Sequence, residues 1–193
     1  MRYGTKPSGP EIAGRIMRRI ENGRYRPGER IIPGMIADEL GISAIPVREA
    51  LCTLVGRDIV EERHNRGFFI APMTSATLHQ LYAAHGLIVD LALQRFVEGR
   101  PLAHRPRNHW LLFAAIAKQS GEAALAGMQF YLSGRLALFR KPAESHFSAM
   151  GLTWNIADML RKGEIRQARG LITEYHEICQ IHSREIWTIS SDR

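Results

Sequence analysis

Residues 41–51 decide the fold of this chain, and they read Gly41-Ile42-Ser43-Ala44-Ile45-Pro46-Val47-Arg48-Glu49-Ala50-Leu51. Glycine tolerates the positive φ at which many helices end, so Gly41 predicts a sharp turn after a preceding helix. Ser43 is a favoured N-cap residue, and Pro46 then falls in the first helical turn, where its missing N–H costs nothing. The apolar residues of this helix recur at helical spacing and are expected to face a core: Val47, Ala50, Leu51 and Leu54. The pattern predicts a turn followed by a short helix that presents Arg48 outward.

The sequence on either side of this stretch predicts a winged helix. Upstream, Ile31, Ile36 and Leu40 form a second short apolar stripe, so two short helices meet at residues 40–41. This arrangement is typical of a helix-turn-helix, whose second helix enters the DNA major groove N-terminus first. Downstream, two β-prone runs, 59–62 and 68–71, flank a basic and turn-rich tip at 63–67, which is a hairpin signal.

Basic residues are concentrated before these elements. Residues 1–30 contain eight basic side chains, and the whole chain has a net charge of +7 and a pI near 9.9. Ser8 and Glu11 have the spacing of a capping box, and the helix that follows is expected to bury Ile12, Ile16 and Ile20. Its other face holds Arg15, Arg18 and Arg19, which are expected to contact phosphates. The charge favours a polyanionic partner.

Residues 10–72 resemble the DNA-binding domain of the gluconate-repressor (GntR) family of bacterial transcription regulators. The resemblance rests on Pro27-Gly28-Glu29-Arg30-Ile31, Ile36-Ala37, Leu40-Gly41, Ser43, the run Pro46 to Leu51, and Gly67-Phe68-Phe69-Ile70. It implies double-stranded DNA as the partner, with these residues at the interface: Ser43, Ala44, Ile45, Pro46, Arg48, His64, Asn65, Arg66 and Gly67. Ala44 stands where a basic residue is usual, so base readout is expected to depend more on Arg48, Ile45 and the wing.

The rest of the chain predicts helices. After a linker at 71–75, helices are expected at about 75–97, 107–118, 122–140 and 143–161, with a last helix after Gly163. That last helix carries one apolar stripe: Ile165, Ala168, Ile172, Tyr175, Cys179, His182 and Ile186. The predicted fold class is therefore mainly α. Residues 1–72 form a winged helix-turn-helix of three helices and a β-hairpin, and residues 73–193 form an all-α bundle for effector binding and dimerisation.

An all-helical domain after the wing resembles the FadR-like branch of the family, whose helical bundle binds an effector. Many members of that branch hold a metal ion with an aspartate and three histidines, and those positions fall here on His109, Phe113, Thr153 and Tyr175. Only His109 is a ligand of the family type, since phenylalanine cannot bind a metal and threonine or tyrosine would be unusual ligands. The domain is also shortened between Val97 and Arg107. We therefore expect no metal site and no cofactor.

Three polar residues are candidates for an effector pocket: His85, Tyr175 and His182. The stripe of the last helix turns Tyr175 and His182 inward, and His85 on the first long helix could face the same space. A neutral histidine offers one donor and one acceptor, which is enough to orient a carboxylate or hydroxyl among apolar walls. His182 could instead be a core histidine with one hydrogen-bond partner, or a metal ligand.

These observations define three functional hypotheses. The leading one is a dimeric, sequence-specific transcription regulator and repressor, which binds a palindromic operator and responds to a small-molecule effector, such as a carboxylate. The second is a constitutive DNA-binding regulator that has lost its effector or metal site. The third, a DNA-tethered enzyme, has no support from a nucleophile elbow, a phosphate-binding glycine loop or an HExxH motif, so we predict no enzymatic activity.

The expected compartment is the cytoplasm, without membrane association. Cys52 and Cys179 lie far apart and fit a reducing environment better than a disulfide framework. No apolar run approaches the length of a membrane span.

Overall fold

The N-terminal part is a winged helix-turn-helix, as the sequence predicts. The structure is a computed structural model that describes residues 7–96, 106–144, 146 and 149–192, without the side chains of 149 and 150. Its first elements are α1 Gly9–Glu21, β1 Arg30–Ile31, α2 Pro33–Leu40, α3 Ala44–Val55, β2 Val60–Arg63 and β3 Gly67–Ile70. The helices α2 and α3 form the helix-turn-helix, and β2 and β3 form the wing.

Local sequence signals determine the helix ends of this part. The Ser8 N–H donates to the Glu11 carboxylate at 2.7 Å, which closes the predicted capping box and starts α1. Gly41 ends α2 in the left-handed conformation, with a φ of 64°. The Ser43 backbone is extended at the N-cap of α3, although its hydroxyl does not cap the helix. The capping box and the glycine turn confirm both predicted boundaries.

The winged-helix core is formed by one face of each helix and one face of the sheet. Ile12, Ile16 and Ile20 of α1 are fully buried against α3, which buries all four apolar residues of its predicted stripe. The sheet has the strand order β1-β3-β2, and all its pairings are antiparallel. The two-residue strand β1 was not predicted, because two residues are too few to show an alternating pattern.

The C-terminal part is a helical bundle around α4. Its elements are α4 Ser75–Gln94, α5 His109–Gln119, α6 Ala123–Arg135, a 3-10 turn Ala137–Phe139, α7 Arg140–Glu144, α8 Ala149–Arg161, α9 Ile165–Ile181 and α10 Ser183–Ser191. The central helix α4 packs against α5, α6, α9 and α10. No helix in the described part of the chain has the length and apolarity needed to cross a membrane.

Three predicted helices of the bundle have wrong bounds. The helix predicted at 143–161 begins at Ala149, because His146 lies in a turn after α7. The helix predicted at 122–140 ends at Arg135, and Pro142 does not stop a helix, because it lies in the first turn of α7, where its missing N–H is tolerated. The single helix predicted after Gly163 is broken at His182, which separates α9 from α10. The side chain of His182 is therefore 36% exposed and not on a buried stripe.

The two parts share a packed junction. The 3-10 turn contacts α1, and the Arg140 guanidinium at the start of α7 donates to the Glu21 carboxylate at 2.6 Å. The Tyr131 hydroxyl on α6 donates to the Asp58 carboxylate at 2.6 Å. The Trp187 indole N–H on α10 donates to the Met73 carbonyl at 2.6 Å. Polar contacts from α6 and α7 thus hold the winged helix in place, and a contact from α10 holds the linker.

Candidate functional site

The N-terminal turns of α3 present the predicted DNA-reading residues. Ser43, Ile45 and Arg48 are exposed, while Ala44 and Pro46 are half-buried. The fully buried side chains of Val47 and Leu51 fix the helix on its opposite face. Ile45 is 68% exposed, so this apolar side chain is available to contact a thymine methyl group. The structure therefore separates the packing face from the outward face as the sequence predicts.

The tip of the wing is a tight turn that projects polar side chains. Asn65 and Gly67 have positive φ values of 57° and 88°, and asparagine and glycine are the residues that adopt this conformation most readily. The Arg66 N–H donates to the Arg63 carbonyl at 2.9 Å and closes the turn. His64, Asn65 and Arg66 are consequently all exposed.

A basic groove of about 650 Å³ lies between α3 and the wing. It is lined by Arg30, Arg48, Glu62, Arg63, His64, Asn65, Arg66 and Gly67. The groove brings together five of the predicted DNA-contacting residues, whereas Ser43, Ala44, Ile45 and Pro46 lie outside its lining. Its positive potential would favour a phosphate backbone at this surface.

Sequence reasoning missed one arginine of this groove, Arg30, and placed Arg63 in the basic tip of the wing without naming it as a site residue. Arg30 reaches it because β1 pairs with the wing strand β3, with Arg30 opposite Phe69. Arg63 is held by the Glu61 carboxylate at 3.1 Å and lies over the Phe69 ring, 4.2 Å from its centroid. The alternation within residues 60–63 could have indicated the outward direction of Arg63, but nothing local indicates the position of Arg30.

The basic face of α1 is partly neutralised by α2. Arg19 forms an ion pair with Glu39, and Arg24 lies 4.0 Å from the same carboxylate. Arg15 and Arg18 are exposed. A phosphate contact from α1 therefore remains a prediction for Arg15 and Arg18, while Arg19 has a protein partner.

A second polar centre lies inside the helical bundle. His85 is fully buried on α4, and its Nδ1 lies 2.8 Å from Nε2 of His176 on α9. Since Nδ1 of His176 donates to the Ile172 carbonyl at 2.7 Å, its Nε2 is the acceptor and His85 is the donor. The remaining nitrogen of His85 lies 3.5 Å from the Gln129 amide nitrogen. Both imidazoles are therefore satisfied in their neutral forms.

His109 and Tyr175 form the other half of this centre. Nε2 of His109 lies 3.0 Å from the Tyr175 hydroxyl, and both side chains are about 1% exposed. Burial lowers the pKa of His109 to about 4, and the positive charge of Arg140 acts in the same direction. Burial likewise lowers the pKa of His176 to about 4. We call His85, His109, Tyr175 and His176 the polar core.

The structure brings two predicted effector residues, His85 and Tyr175, into the polar core, but not His182. His182 contacts Glu185 and His146 instead. His176 occupies the inward position that had been assigned to His182. The sequence analysis missed His176 because it assumed one buried stripe along the last helix, with one buried residue in each turn. The helix α9 packs against both α4 and α8, so it buries a wider face.

The metal positions implied by the family resemblance do not fit a metal ion. His109, Phe113 and Tyr175 do lie together, with the Phe113 ring centroid 5.8 and 5.5 Å from those of His109 and Tyr175. The fourth position, Thr153, is buried on α8. A phenyl ring offers no ligand atom, and the only imidazole of this set already contacts a tyrosine hydroxyl. This donor set lacks the ligands for such a site.

A buried arginine connects the polar core to the winged helix. The Arg140 guanidinium carbon lies 4.5 Å from the centroid of the Trp110 ring, which in turn contacts the rings of His85 and Tyr175. Its Nη2 donates to the carbonyl and hydroxyl oxygens of Ser133, both at 2.6 Å. Nε of Arg140 and Nε1 of Trp110 are buried without a hydrogen-bond partner among the described residues. Burial lowers the pKa of Arg140, while the Glu21 carboxylate raises it.

Comparison with known proteins identifies the N-terminal part. Residues 9–70 match the family described as bacterial regulatory proteins, gntR family. An uncharacterised HTH-type transcriptional regulator of Mycobacterium tuberculosis is 33% identical over 94 residues, which cover 49% of this chain and 38% of that protein. The Nta operon transcriptional regulator of Aminobacter aminovorans is 30% identical over 135 residues, covering 68% of this chain and 57% of that protein. The chain thus spans about half the length, or less, of the curated relatives it matches.

Solved structures share the fold of both parts. A transcriptional regulator GntR from Rhodococcus sp. RHA1 superposes with a TM-score of 0.72 at 20% identity, covering 91% of this chain and 96% of that one. E. coli McbR/YncC superposes with a TM-score of 0.68 at 18% identity, covering 92% and 97%. The helical C-terminal part fits the FadR-like branch. Residues 9–70 are therefore a DNA-binding domain of the type found in the gntR family of bacterial regulatory proteins, and the shared architecture shows the fold of the helical part.

Proposed function

We propose that the chain is a sequence-specific DNA-binding regulator that acts as a homodimeric repressor and is controlled by a small-molecule effector. The observation that carries this proposal is the basic groove, where Arg48 of α3 and the arginines of the wing line one surface. We assign DNA binding to residues 1–72, and effector binding and dimerisation to residues 73–193. The proposed compartment is the cytoplasm, and no enzymatic activity is proposed.

The proposed DNA complex places the first turns of α3 in the major groove. Arg48 would then reach a guanine edge, and Ser43 and Ile45 would contact neighbouring bases. The wing would extend along the duplex, with Arg63 and Arg66 contacting the phosphate backbone or the minor groove. Arg30 would add a further phosphate contact from β1. In this arrangement Arg48 provides specificity, and the other arginines provide affinity.

The proposed effector site is the polar core together with Trp110 and Arg140. The unpartnered Nε1 of Trp110 and Nε of Arg140 are two buried donors that a ligand oxygen would satisfy. The indole N–H of Trp110 can donate to a hydroxyl or a carboxylate oxygen, and the buried guanidinium of Arg140 favours a carboxylate. A small hydroxylated or carboxylated molecule is therefore the proposed effector class. In this proposed site, His109 and His176 take the place of His182, which the sequence had suggested as an effector-binding residue.

Arg140 also offers a route from effector to DNA. An anion drawn to Arg140 would compete with Glu21, which lies at the end of α1 in the winged helix. Loss of that contact would loosen the junction and change the orientation of the recognition helix. Allosteric coupling of this kind is typically worth about 1–3 kcal/mol.

The exposed apolar face of α4 is the proposed dimer contact. Leu87 and Leu91 lie four residues apart on this helix and are 71% and 40% exposed. Residues at this spacing share one face, and pairing of two such faces would cover both leucines. Sedimentation of a Leu87→Glu variant as a monomer, beside a dimeric native chain, would support this assignment. An unchanged dimer would contradict it.

Selection from a pool of random duplex DNA tests the proposed function. Enrichment of a site with two inverted half-sites, about one helical turn apart, would show a specific dimeric reader. Enrichment of no sequence, with uniform salt-sensitive binding, would contradict the proposal. A constitutive regulator remains the second candidate, because the family's metal positions lack ligands. Thermal-shift screening with small carboxylates distinguishes the two, since a ligand that binds only the folded state must raise its apparent stability.

A further inference from the structure

We propose that His146, His182 and Glu185 form a zinc-binding site at the start of α10, away from both the DNA groove and the polar core. Each residue offers one ligand atom, and the three atoms lie within 4.8 Å of one another. Nδ1 of His182 lies 3.1 Å from Oε2 of Glu185, and Nε2 of His146 lies 3.9 Å from the same oxygen. Among the described residues, these three are the group of potential ligands whose ligand atoms lie close enough together to hold a metal ion.

His146 supplies the observation that favours a ligand. Its Nε2 is buried and has no hydrogen-bond partner among the described residues, although its side chain is 18% exposed overall. A buried imidazole nitrogen without a partner has lost its hydrogen bonds to water and forms none within the protein. A metal ion between Nε2 and Glu185 would satisfy this nitrogen. The rings of His146 and His182 are stacked, with centroids 4.5 Å apart and planes inclined by 21°.

The donor set matches zinc. Two imidazole nitrogens and one carboxylate oxygen are a known ligand combination for zinc, and they leave a fourth position for water or a further ligand. Ligand atoms at zinc bond lengths of 2.0–2.1 Å in a tetrahedral site lie about 3.3 Å apart. The separation of 3.1 Å already fits, and the separation of 3.9 Å closes with a small side-chain rotation.

The fold explains why the three residues meet. The spacing of three between His182 and Glu185 places both at the first turn of α10, because the chain breaks at His182. His146 follows α7, which packs against α10. A bound ion would therefore tie His146, which follows α7, to the α9–α10 junction. This site is separate from His109, Phe113, Thr153 and Tyr175, the positions on which the expectation of a metal-free domain was based.

A helix cap is the competing explanation for part of this geometry. Glu185 occupies the N3 position of α10 and His182 its N-cap, so their contact could serve only to stabilise the helix end. That explanation assigns no role to the buried nitrogen of His146. The Glu185→Gln variant separates the two, because an amide oxygen can still accept a cap hydrogen bond but is a poor zinc ligand.

The test is a zinc titration of the untagged, chelator-treated full chain by isothermal calorimetry. We expect one zinc ion per chain, with binding weakened at least about tenfold in His182→Ala, His146→Ala and Glu185→Gln. His79→Ala is the matched control, since His79 is exposed and contacts the Gln180 carbonyl instead. Cobalt titration provides a second readout, because a tetrahedral site with nitrogen ligands gives strong visible absorption.

Three outcomes would overturn the proposal. These are no stoichiometric binding by the native chain, equal binding by the native chain and all three variants, or equal weakening by the control. Thermal unfolding of each metal-free variant shows whether it is folded. If a histidine variant is not folded, the zinc affinity of Glu185→Gln decides whether the site exists. None of these results depends on DNA binding, so failure here leaves the proposed regulatory function intact.

Discussion

Arg48 is the residue on which specificity depends in the proposed DNA complex. Its side chain is exposed at the start of α3, while Val47 and Leu51 anchor the helix behind it. Arg48→Ala should cost about 1–3 kcal/mol in binding to the selected site if the arginine pairs with a guanine edge. Fluorescence anisotropy with selected and scrambled duplexes measures this difference, and Arg166→Ala, at an exposed position on α9, is the control. Equal losses on both duplexes would reassign Arg48 to phosphate.

The wing arginines should act mainly through charge. Arg66→Ala should reduce the steepness of the dependence of binding on salt, because each lost phosphate contact removes about 0.9 from the slope of log K against log salt. Arg30→Ala should have the same effect if β1 contacts the backbone. Binding isotherms at several salt concentrations measure the slope. A slope identical to that of the native chain would place the side chain clear of DNA.

The buried histidines should make stability depend on pH. The pKa of His109 and of His176 is about 4 in the fold, against an ordinary value of 6.5. Well above pH 6.5 neither the folded nor the unfolded chain protonates them, so they add no pH dependence there. Between pH 6.5 and 4 the unfolded chain binds protons that the folded chain excludes, so the unfolding free energy should fall by about 1 kcal/mol per pH unit for each histidine.

Denaturant unfolding between pH 7 and 4.5 measures this fall. His109→Phe should reduce the slope of the unfolding free energy against pH by the contribution of one histidine. It also removes the partner of Tyr175 and therefore lowers stability at every pH. Leu111→Ala, at an exposed position without a titratable group, should leave the slope unchanged. A slope that is the same in the native chain and in His109→Phe would mean that His109 is not held neutral by burial.

At the scale of elements, the contact between α1 and α7 joins the winged helix to the helical bundle. Glu21 and Arg140 should be energetically coupled, since they form a close ion pair that is partly shielded from water. We expect a coupling free energy of order 1 kcal/mol from a double-mutant cycle of Glu21→Gln and Arg140→Gln. Denaturant unfolding of the four proteins measures it. Additive effects would mean that the pair does not couple the winged helix to the bundle.

Elements with complete local signals were the ones the sequence could predict. The capping box at Ser8, the turn at Gly41 and the stripe from Val47 to Leu54 each define their element without help from the rest of the chain. The helix breaks at His182 without a glycine or a proline, so no local residue predicts the break. The strand β1 exists only because the wing strand β3 pairs with it. The basic groove was therefore predictable in part, and the polar core only through His85 and Tyr175.

At the scale of the molecule, the fold connects a DNA reader to a polar interior through a few named contacts. The groove lies between α3 and the wing, and the polar core lies within the bundle, with Arg140 between the core and α1. In the proposed function, occupancy of the core would change the position of the recognition helix through these contacts. The central claim is that the chain, as a dimer, reads a specific DNA sequence.

The most direct test of that claim is the ratio of affinities for a selected site and a scrambled duplex, measured by fluorescence anisotropy at one physiological salt concentration. Specific regulators typically bind their sites at least about a thousandfold more tightly than other DNA. The account predicts a ratio of that order, with two chains bound per site by sedimentation. Equal affinity for the two duplexes, or one chain bound per selected site, would contradict it.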